Sequence, residues 1–432
     1  MSDSDIGSAS TGDEPRRPWT LKQKTAMVAG VGSWTLDAFD YFILVFVIPL
    51  VADGFDVSVE TVLFATTITL IGRPFGALIF GSVAERYGRK PVLAGNIAFY
   101  SLVELATAFS PDLTTFMVLR AVYGLAMGGV WGIGSALTME SVPTRSRGWV
   151  SGVFQAGYPA GYLIASLVNY LAPSIGWRGM FAVGVTPILL AVFIVFAVSE
   201  SPAWMEQRRN RQTESAGTTS GHESGSVAVI LRSVRQHWKI VVFGIVLMTA
   251  FNFFSHGTQD VYPTFLKKQH DFGADVVSTI AIAYNIAAII GGIIAGALSQ
   301  RFGRRRLIVI FALLALPCIP LWAFASHSWW LGVGAFLVQF MVQGAWGVVP
   351  AYLNETMPAA ARAVLPGFIY QFGNLIASGN GPIEGGLAKT FDGNYGLAMA
   401  IVAACASLVI AALALVVRTD DQRESKMNVT ET

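Results

Sequence analysis

Twelve runs of some twenty apolar residues, joined mostly by short polar connections, fill the chain between Met27 and Val417. A helix rises 1.5 Å per residue, so each run is long enough to cross a hydrocarbon core about 30 Å thick. Lipid offers backbone groups no partners, and runs of this length satisfy them as helices rather than as barrel strands. The runs lie near 27–50, 62–84, 92–110, 114–138, 149–170 and 180–198, then 240–265, 275–298, 307–325, 331–354, 364–386 and 396–417. Composition agrees: 53% of the 432 residues are hydrophobic and 13% charged, against about 25% charged in soluble proteins. An all-α membrane protein of twelve transmembrane helices is expected. The first run is too long for a signal-peptide core, so it is expected to remain as the first span.

The two sets of six runs are copies of one another. Gly81 to Lys90 reads GSVAERYGRK and Gly296 to Arg305 reads GALSQRFGRR, an offset of 215. The same offset relates Trp131-Gly132 to Trp346-Gly347, Glu140 to Glu355, Pro143 to Pro358 and Arg147 to Arg362. The expected organisation is a polar tail (1–25), a six-helix bundle (26–199), a linker (200–239), a second six-helix bundle (240–417) and a tail (418–432). Two parallel six-helix halves resemble the major facilitator superfamily, and that likeness implies a binding site between the halves near the bilayer midplane.

The repeated GxxxERxGRK loop resembles the cytoplasmic signature of that superfamily. Glu85, Arg86 and Arg89, with Lys90, can form charge-assisted pairs that lock helix ends in one conformation and release them in another. The competing reading is an ordinary basic loop. Glu140, beside Pro143, Arg145 and Arg147, is expected to join the gate, and Arg301 to serve the second copy, where Gln300 replaces Glu85 and weakens the lock. Of the 29 Lys and Arg, 23 fall on the side of the N-terminus, 4 on the other and 2 within spans. Both termini are therefore expected in the cytoplasm, in a plasma membrane that would be the inner one in a bacterium.

The seventh run carries the stretch NFFSHGTQDVYPT, Asn252 to Thr264. On a helix, Asn252, His256, Gln259 and Asp260 fall at i, i+4, i+7 and i+8 along one face, with Ser255 beside them. Polar groups facing lipid cost about 2.5 to 3.5 kcal/mol each on insertion scales. The stripe is therefore expected to face a cavity, although interhelical hydrogen bonding is an alternative. His256 and Asp260 can hold or pass a proton; Asn252 and Gln259 suit substrate oxygens. This spacing resembles the Jen-type monocarboxylate carriers of the sialate and lactate:proton symporter branch. The likeness implies a small organic anion and a proton as partners.

In the first run, Asp37 and Asp40 sit within LDAFD, about ten residues and hence about 15 Å deep. As two carboxylates on one face they are expected to titrate as a coupled pair; the LDxFD pattern also resembles the symporter branch. Arg73, near the middle of the second run, is the best anchor for an anion, because its planar fork fits a carboxylate. A permanent ion pair with Asp37 or Asp40 competes with that role. Glu104 and Arg120 are expected to pair structurally, with Gly124 and Gly128 allowing close helix approach. Gln155 and Tyr158 in the fifth run and Gln371 and Asn374 in the eleventh complete the substrate candidates. The Gln-x-x-Asn pair resembles the Jen-type carriers.

The expected function is proton-coupled import of small monocarboxylates such as lactate and pyruvate, with sialic or aromatic acids as the alternative cargo. No HExxH, GxSxG or P-loop motif and no clustered Cys/His spacing occurs, so an enzyme is not expected. Cys318 and Cys405 lie far apart in apolar runs and imply no disulfide or metal framework. No cofactor, metal or nucleic-acid partner is expected, and the chain is expected to act as a monomer in the bilayer.

Overall fold

The computed structural model describes residues 18–217, 235–236, 238–357 and 361–416. The tail up to Arg17, the centre of the linker, Pro358 and the tail from residue 417 lie outside the described residues. Among the described residues every regular element is helical. Seven spans are single helices: Leu21–Phe55, Val59–Tyr87, Arg89–Ala108, Leu113–Ser141, Ala274–Phe302, Ser328–Thr356 and Tyr395–Val416. The other five are interrupted, and prolines at the breaks explain why. The fifth is Arg147–Gln155 then Gly157–Leu171, the sixth Gly176–Val183 then Ile188–Ala197, and the seventh Trp238–Gln259 then Tyr262–Lys268. The ninth runs Arg304–Ala315 then Ile319–Phe324, and the eleventh Leu365–Ala377 then Asn380–Thr390. Pro159, Pro187, Pro263, Pro317 with Pro320, and Pro382 sit at or just beyond these breaks, where a missing N–H and the ring's clash with the previous turn end the helix.

The chain is an all-α membrane protein of twelve transmembrane helices in two six-helix halves. Ten of these are long and apolar enough to qualify by themselves; the fifth and eleventh, which are repeat-related, are each split. Helices overrun the apolar runs because their ends are set by caps, not by hydropathy. The first starts six residues before its run, where Thr20 and Gln23 form a capping box. Asp112 accepts the Thr115 N–H at 2.8 Å to start the fourth span. Spans 2 and 8 end on Gly88 and Gly303, again 215 apart, whose positive φ values of 111° and 89° turn the chain directly into the next span.

The face of the bundle that holds the start of the first span is called the N-side below. There the halves touch through backbone. A Cβ added to Gly152 would collide with the Gly292 carbonyl, and one on Gly132 would lie 2.9 Å from the Cα of Gly367. Hydrogen bonds cross at the same level: Ser151 to the Gly347 carbonyl at 2.7 Å, the Ala351 N–H to Ser151 at 3.0 Å, and Asn354 to Ser135 at 3.2 Å.

Candidate functional site

Above the N-side contacts, spans 1, 2 and 5 of one half and 7, 10 and 11 of the other line a small central cavity. The first half contributes Tyr41, Arg73, Gln155 and Tyr158; the second contributes Asn252, Ser255, His256, Gln343 and Asn374. Aromatic rings floor the space toward the N-side. Tyr370 stacks on Trp131 at 4.8 Å and meets Trp346 edge-on at 5.6 Å and Trp34 at 5.9 Å. Trp131 and Trp346 are the repeat-related pair, so the duplication brings one indole from each half to a single tyrosine.

Arg73 reaches this space because Gly128 of the fourth span lies against its backbone and Gly124 against that of Thr69, as the close-approach reading of those glycines expects. Its Nη2 is 3.3 Å from Asp37 Oδ2, and its guanidinium lies 5.9 Å from the Tyr41 ring centroid. Asp40 goes elsewhere. Buried completely, it faces Gly184 and Glu104 between spans 1, 3 and 6, and neither of its oxygens has a hydrogen-bond partner among the described residues. Positions i and i+3 differ by about 60° around a helix, enough to give the two carboxylates separate neighbours rather than one shared site. Glu104 and Arg120 form the expected structural pair, two-pronged at 3.0 and 2.9 Å.

In the second half, His256 bridges Asp260 (Nδ1 to Oδ2, 3.0 Å) and Asn374 (Nε2 to Oδ1, 3.0 Å). An acceptor at Asp260 requires a proton on Nδ1. Nε2 then donates to Asn374 as imidazolium, or accepts from it with the amide turned. Asp260 stands outside the cavity lining, with its side chain 51% exposed. Asn252 lines the space and donates to the Met248 carbonyl at 2.8 Å, leaving its oxygen free to accept. Gln343 donates to Ser255 at 3.1 Å.

Two expected substrate residues lie off the cavity wall. Gln259 donates to Gln339 of span 10 at 2.8 Å. It occupies the last turn before the break at Asp260–Val261, where a long side chain can swing to the neighbouring helix. Gln371 is fully buried, with neither amide atom partnered among the described residues; the rotation that brings Asn374 to the cavity turns Gln371 away. Sequence reasoning passed over Tyr41, Gln343, Tyr370 and the buried Glu384 of span 11. Tyr370 was findable, since 370 minus 215 is 155.

Most of the residues expected at the gate gather in two clusters at the N-side, called latches below. In the first half Arg89 sits between Glu85 at 2.8 Å and Glu140 at 3.3 Å, all three buried, while Glu85 Oε1 accepts the Ala363 N–H of the other half at 2.8 Å. In the second, Arg304 pairs with Glu355 at 3.0 Å, and Gln300 Oε1 accepts from Arg304 at 2.8 Å and from the Gly148 N–H at 3.1 Å. Arg86 and Arg301 are not in these ion-pair sets. Each lies over the ring of the next residue, Tyr87 at 5.3 Å and Phe302 at 5.7 Å. The start of the linker, expected to be only a polar spacer, docks on the first latch. Ser201 donates to Glu140, Trp204 Nε1 to the Glu85 carbonyl at 3.0 Å, and Glu200 accepts the Arg89 N–H at 3.0 Å. Burial raises the Glu200 carboxyl above its ordinary value, against the lowering effect of the N–H groups that cap it.

Paired six-helix halves around a central polar cavity, joined at one face by repeat-related polar clusters, are the architecture of a membrane transporter. The Major Facilitator Superfamily profile matches residues 33–379 and 245–431, and the chain belongs to that superfamily. It is 28% identical over 389 residues to a carboxylic acid transporter protein homolog of Saccharomyces cerevisiae, covering 87% of this chain and 63% of the yeast protein. It thus spans less than two thirds of that relative's length. The sialic acid transporter NanX of Escherichia coli is 25% identical over 383 residues, covering 88% of this chain and 90% of its own. A solved structure of the proton:xylose symporter XylE superposes with a TM-score of 0.71 at 20% identity, covering 90% of this chain and 94% of that one, which establishes the fold. The protein is a multi-pass membrane transporter and not an enzyme.

Proposed function

We propose that this transporter is a proton-coupled symporter of small monocarboxylates such as lactate and pyruvate. One observation carries the reading: Arg73, a permanent cation, stands in the cavity wall with Asp37 as its single carboxylate partner among the described residues, while His256 and Asn374 of the other half line the same cavity. An incoming carboxylate competes with Asp37 for the guanidinium fork, and a proton on Asp37 settles the competition in the substrate's favour. Proton and anion binding then assist one another, as linkage demands. Asn252, Gln155, Tyr158 and Asn374 offer uncharged partners for the remaining substrate oxygens. His256 and Asp260 lie on the route from the open side. The excess of Lys and Arg on the N-side supports a cytoplasmic location for that face, so the latched conformation is the one open outward. The bundles 26–199 and 240–417 rock about the cavity to release cargo inward. The printed name of the yeast relative, a carboxylic acid transporter homolog, supports the substrate class.

The test is uptake of labelled L-lactate into proteoliposomes with and without an inward proton gradient, with pyruvate, a sialic acid and an aromatic acid as competitors. Accumulation driven by the gradient and blocked by pyruvate alone is expected. Accumulation of a larger acid in place of lactate would reassign the cargo, and Arg73→Ala should abolish uptake of whichever acid is carried.

A further inference from the structure

The eleventh span contains a buried carboxyl that the reading above does not use. Glu384 is completely buried in the second segment of that span, and its Oε2 accepts from Asn380 Nδ2 at 3.1 Å, one turn away. The remaining oxygens of the two side chains, Glu384 Oε1 and Asn380 Oδ1, have no hydrogen-bond partner among the described residues. Both face the same place: a Cβ added to Gly257 of span 7 would lie 3.3 Å from one and 3.4 Å from the other. Gly257 has no side chain to offer either of them. Two acceptors stand together without a donor, which is expensive in a dry interior.

A single proton resolves this. Placed on Oε1, it lets the acid donate to Asn380 Oδ1 while the amide already donates to Oε2, closing a ring of two hydrogen bonds between a carboxylic acid and a carboxamide. An ionised Glu384 would instead remain fully buried with no cation bound to it among the described residues. The elements packed against this segment are spans 7 and 12. Span 7 brings His256 beside Gly257 and Asp260 one turn on, near enough for the Asp260 charge to act on Glu384. Within Tyr395–Val416 the titratable side chains are Tyr395 and Cys405. On the same segment as Glu384, Lys389 points outward and is exposed.

We propose that Glu384, completed by Asn380, is a proton-holding site of the second half, loaded through the His256–Asp260 pair and separate from the Arg73–Asp37 pair of the first half. One proton moves from solvent to the pair and on to Oε1, with no other bond made or broken. The inference extends the proton-coupled reading, yet its first test does not depend on it.

Infrared spectra of the purified full-length protein in lipid nanodiscs at pH 7 report protonated carboxyl groups by their carbonyl stretch. Subtracting Glu384→Gln, which keeps the two-hydrogen-bond ring as an amide pair, should show loss of one such band. Asn380→Leu, which leaves the carboxyl in place without its partner, should move that band to higher frequency. An unchanged carbonyl region in both variants overturns the proposal. In proteoliposomes, Glu384→Gln should retain exchange of labelled lactate but lose accumulation driven by the proton gradient; retained gradient-driven accumulation would remove Glu384 from coupling. A wild type insensitive to the gradient would instead sink the symport reading, while the infrared band would still decide whether Glu384 holds its proton.

Discussion

The two N-side latches are the same device built from different chemistry. Residue 85 caps the N–H of residue 363, and residue 300, its repeat mate, caps the N–H of residue 148, the mate of 363. Each latch thus reaches across to the other half at equivalent points. The first is ionic and dry: side-chain exposures are 0% for Arg89, 4% for Glu85 and 3% for Glu140. The second has a neutral amide at the cross-half contact, with Arg304 and Glu355 at 12% and 29% exposure. Duplication has preserved the geometry of the cross-half cap while the energetics diverged. A dry charge network depends strongly on each member, because a lost partner leaves a buried charge uncompensated; a wet pair loses little.

Arg89→Ala should therefore have the largest effect, lowering stability by about 3–5 kcal/mol, whereas Arg304→Ala should cost about 1 kcal/mol or less. Thermal unfolding of both purified variants decides the matter, and equal shifts would end the distinction between the latches. Glu85→Gln makes the first latch a chemical copy of the second. It should cost about 1–3 kcal/mol and raise maleimide labelling of a Ser151→Cys reporter at the N-side, in a background with Cys318 and Cys405 changed to serine. Gln300→Glu should leave that labelling rate nearly unchanged. The smallest effect concerns the linker clamp. Because burial raises the Glu200 carboxyl, its protonated form favours the folded state. The stability it adds is complete below the ordinary carboxylate value of about 4 and fades as pH rises through the raised one. Glu200→Gln should flatten that part of the melting-temperature profile between acid and neutral pH.

Much of this was readable from the chain alone, since apolar length fixes the number of spans and the offset of 215 fixes which residues are mates. The Arg73 position, the Glu104–Arg120 pair and the partnership of His256 with Asp260 follow from helical spacing and from the cost of leaving charges alone in lipid. What spacing does not carry is the side to which a polar residue turns when a second partner competes for it. Gln259 shares a helix face with Asn252 but ends on Gln339, and Asp40 lies only three residues from Asp37 yet faces Glu104. Arg86 and Arg301, inside a charged motif, still turn onto aromatic rings. The docking of Glu200, Ser201 and Trp204 was invisible for another reason: a polar run after a span looks the same whether it is free or folded back.

The glycine faces that join the halves at the N-side have a mechanical consequence. Interdigitated side chains must leave their rotamer wells before two helices can part. Gly132 against Gly367, and Gly152 against Gly292 and Gly296, present almost bare backbone instead. Such surfaces slide or separate without repacking, so the plates themselves add little friction to the stroke. If the halves move as proposed, the tempo of the transport cycle is set at the rim, by how quickly a few polar clasps let go and find one another again.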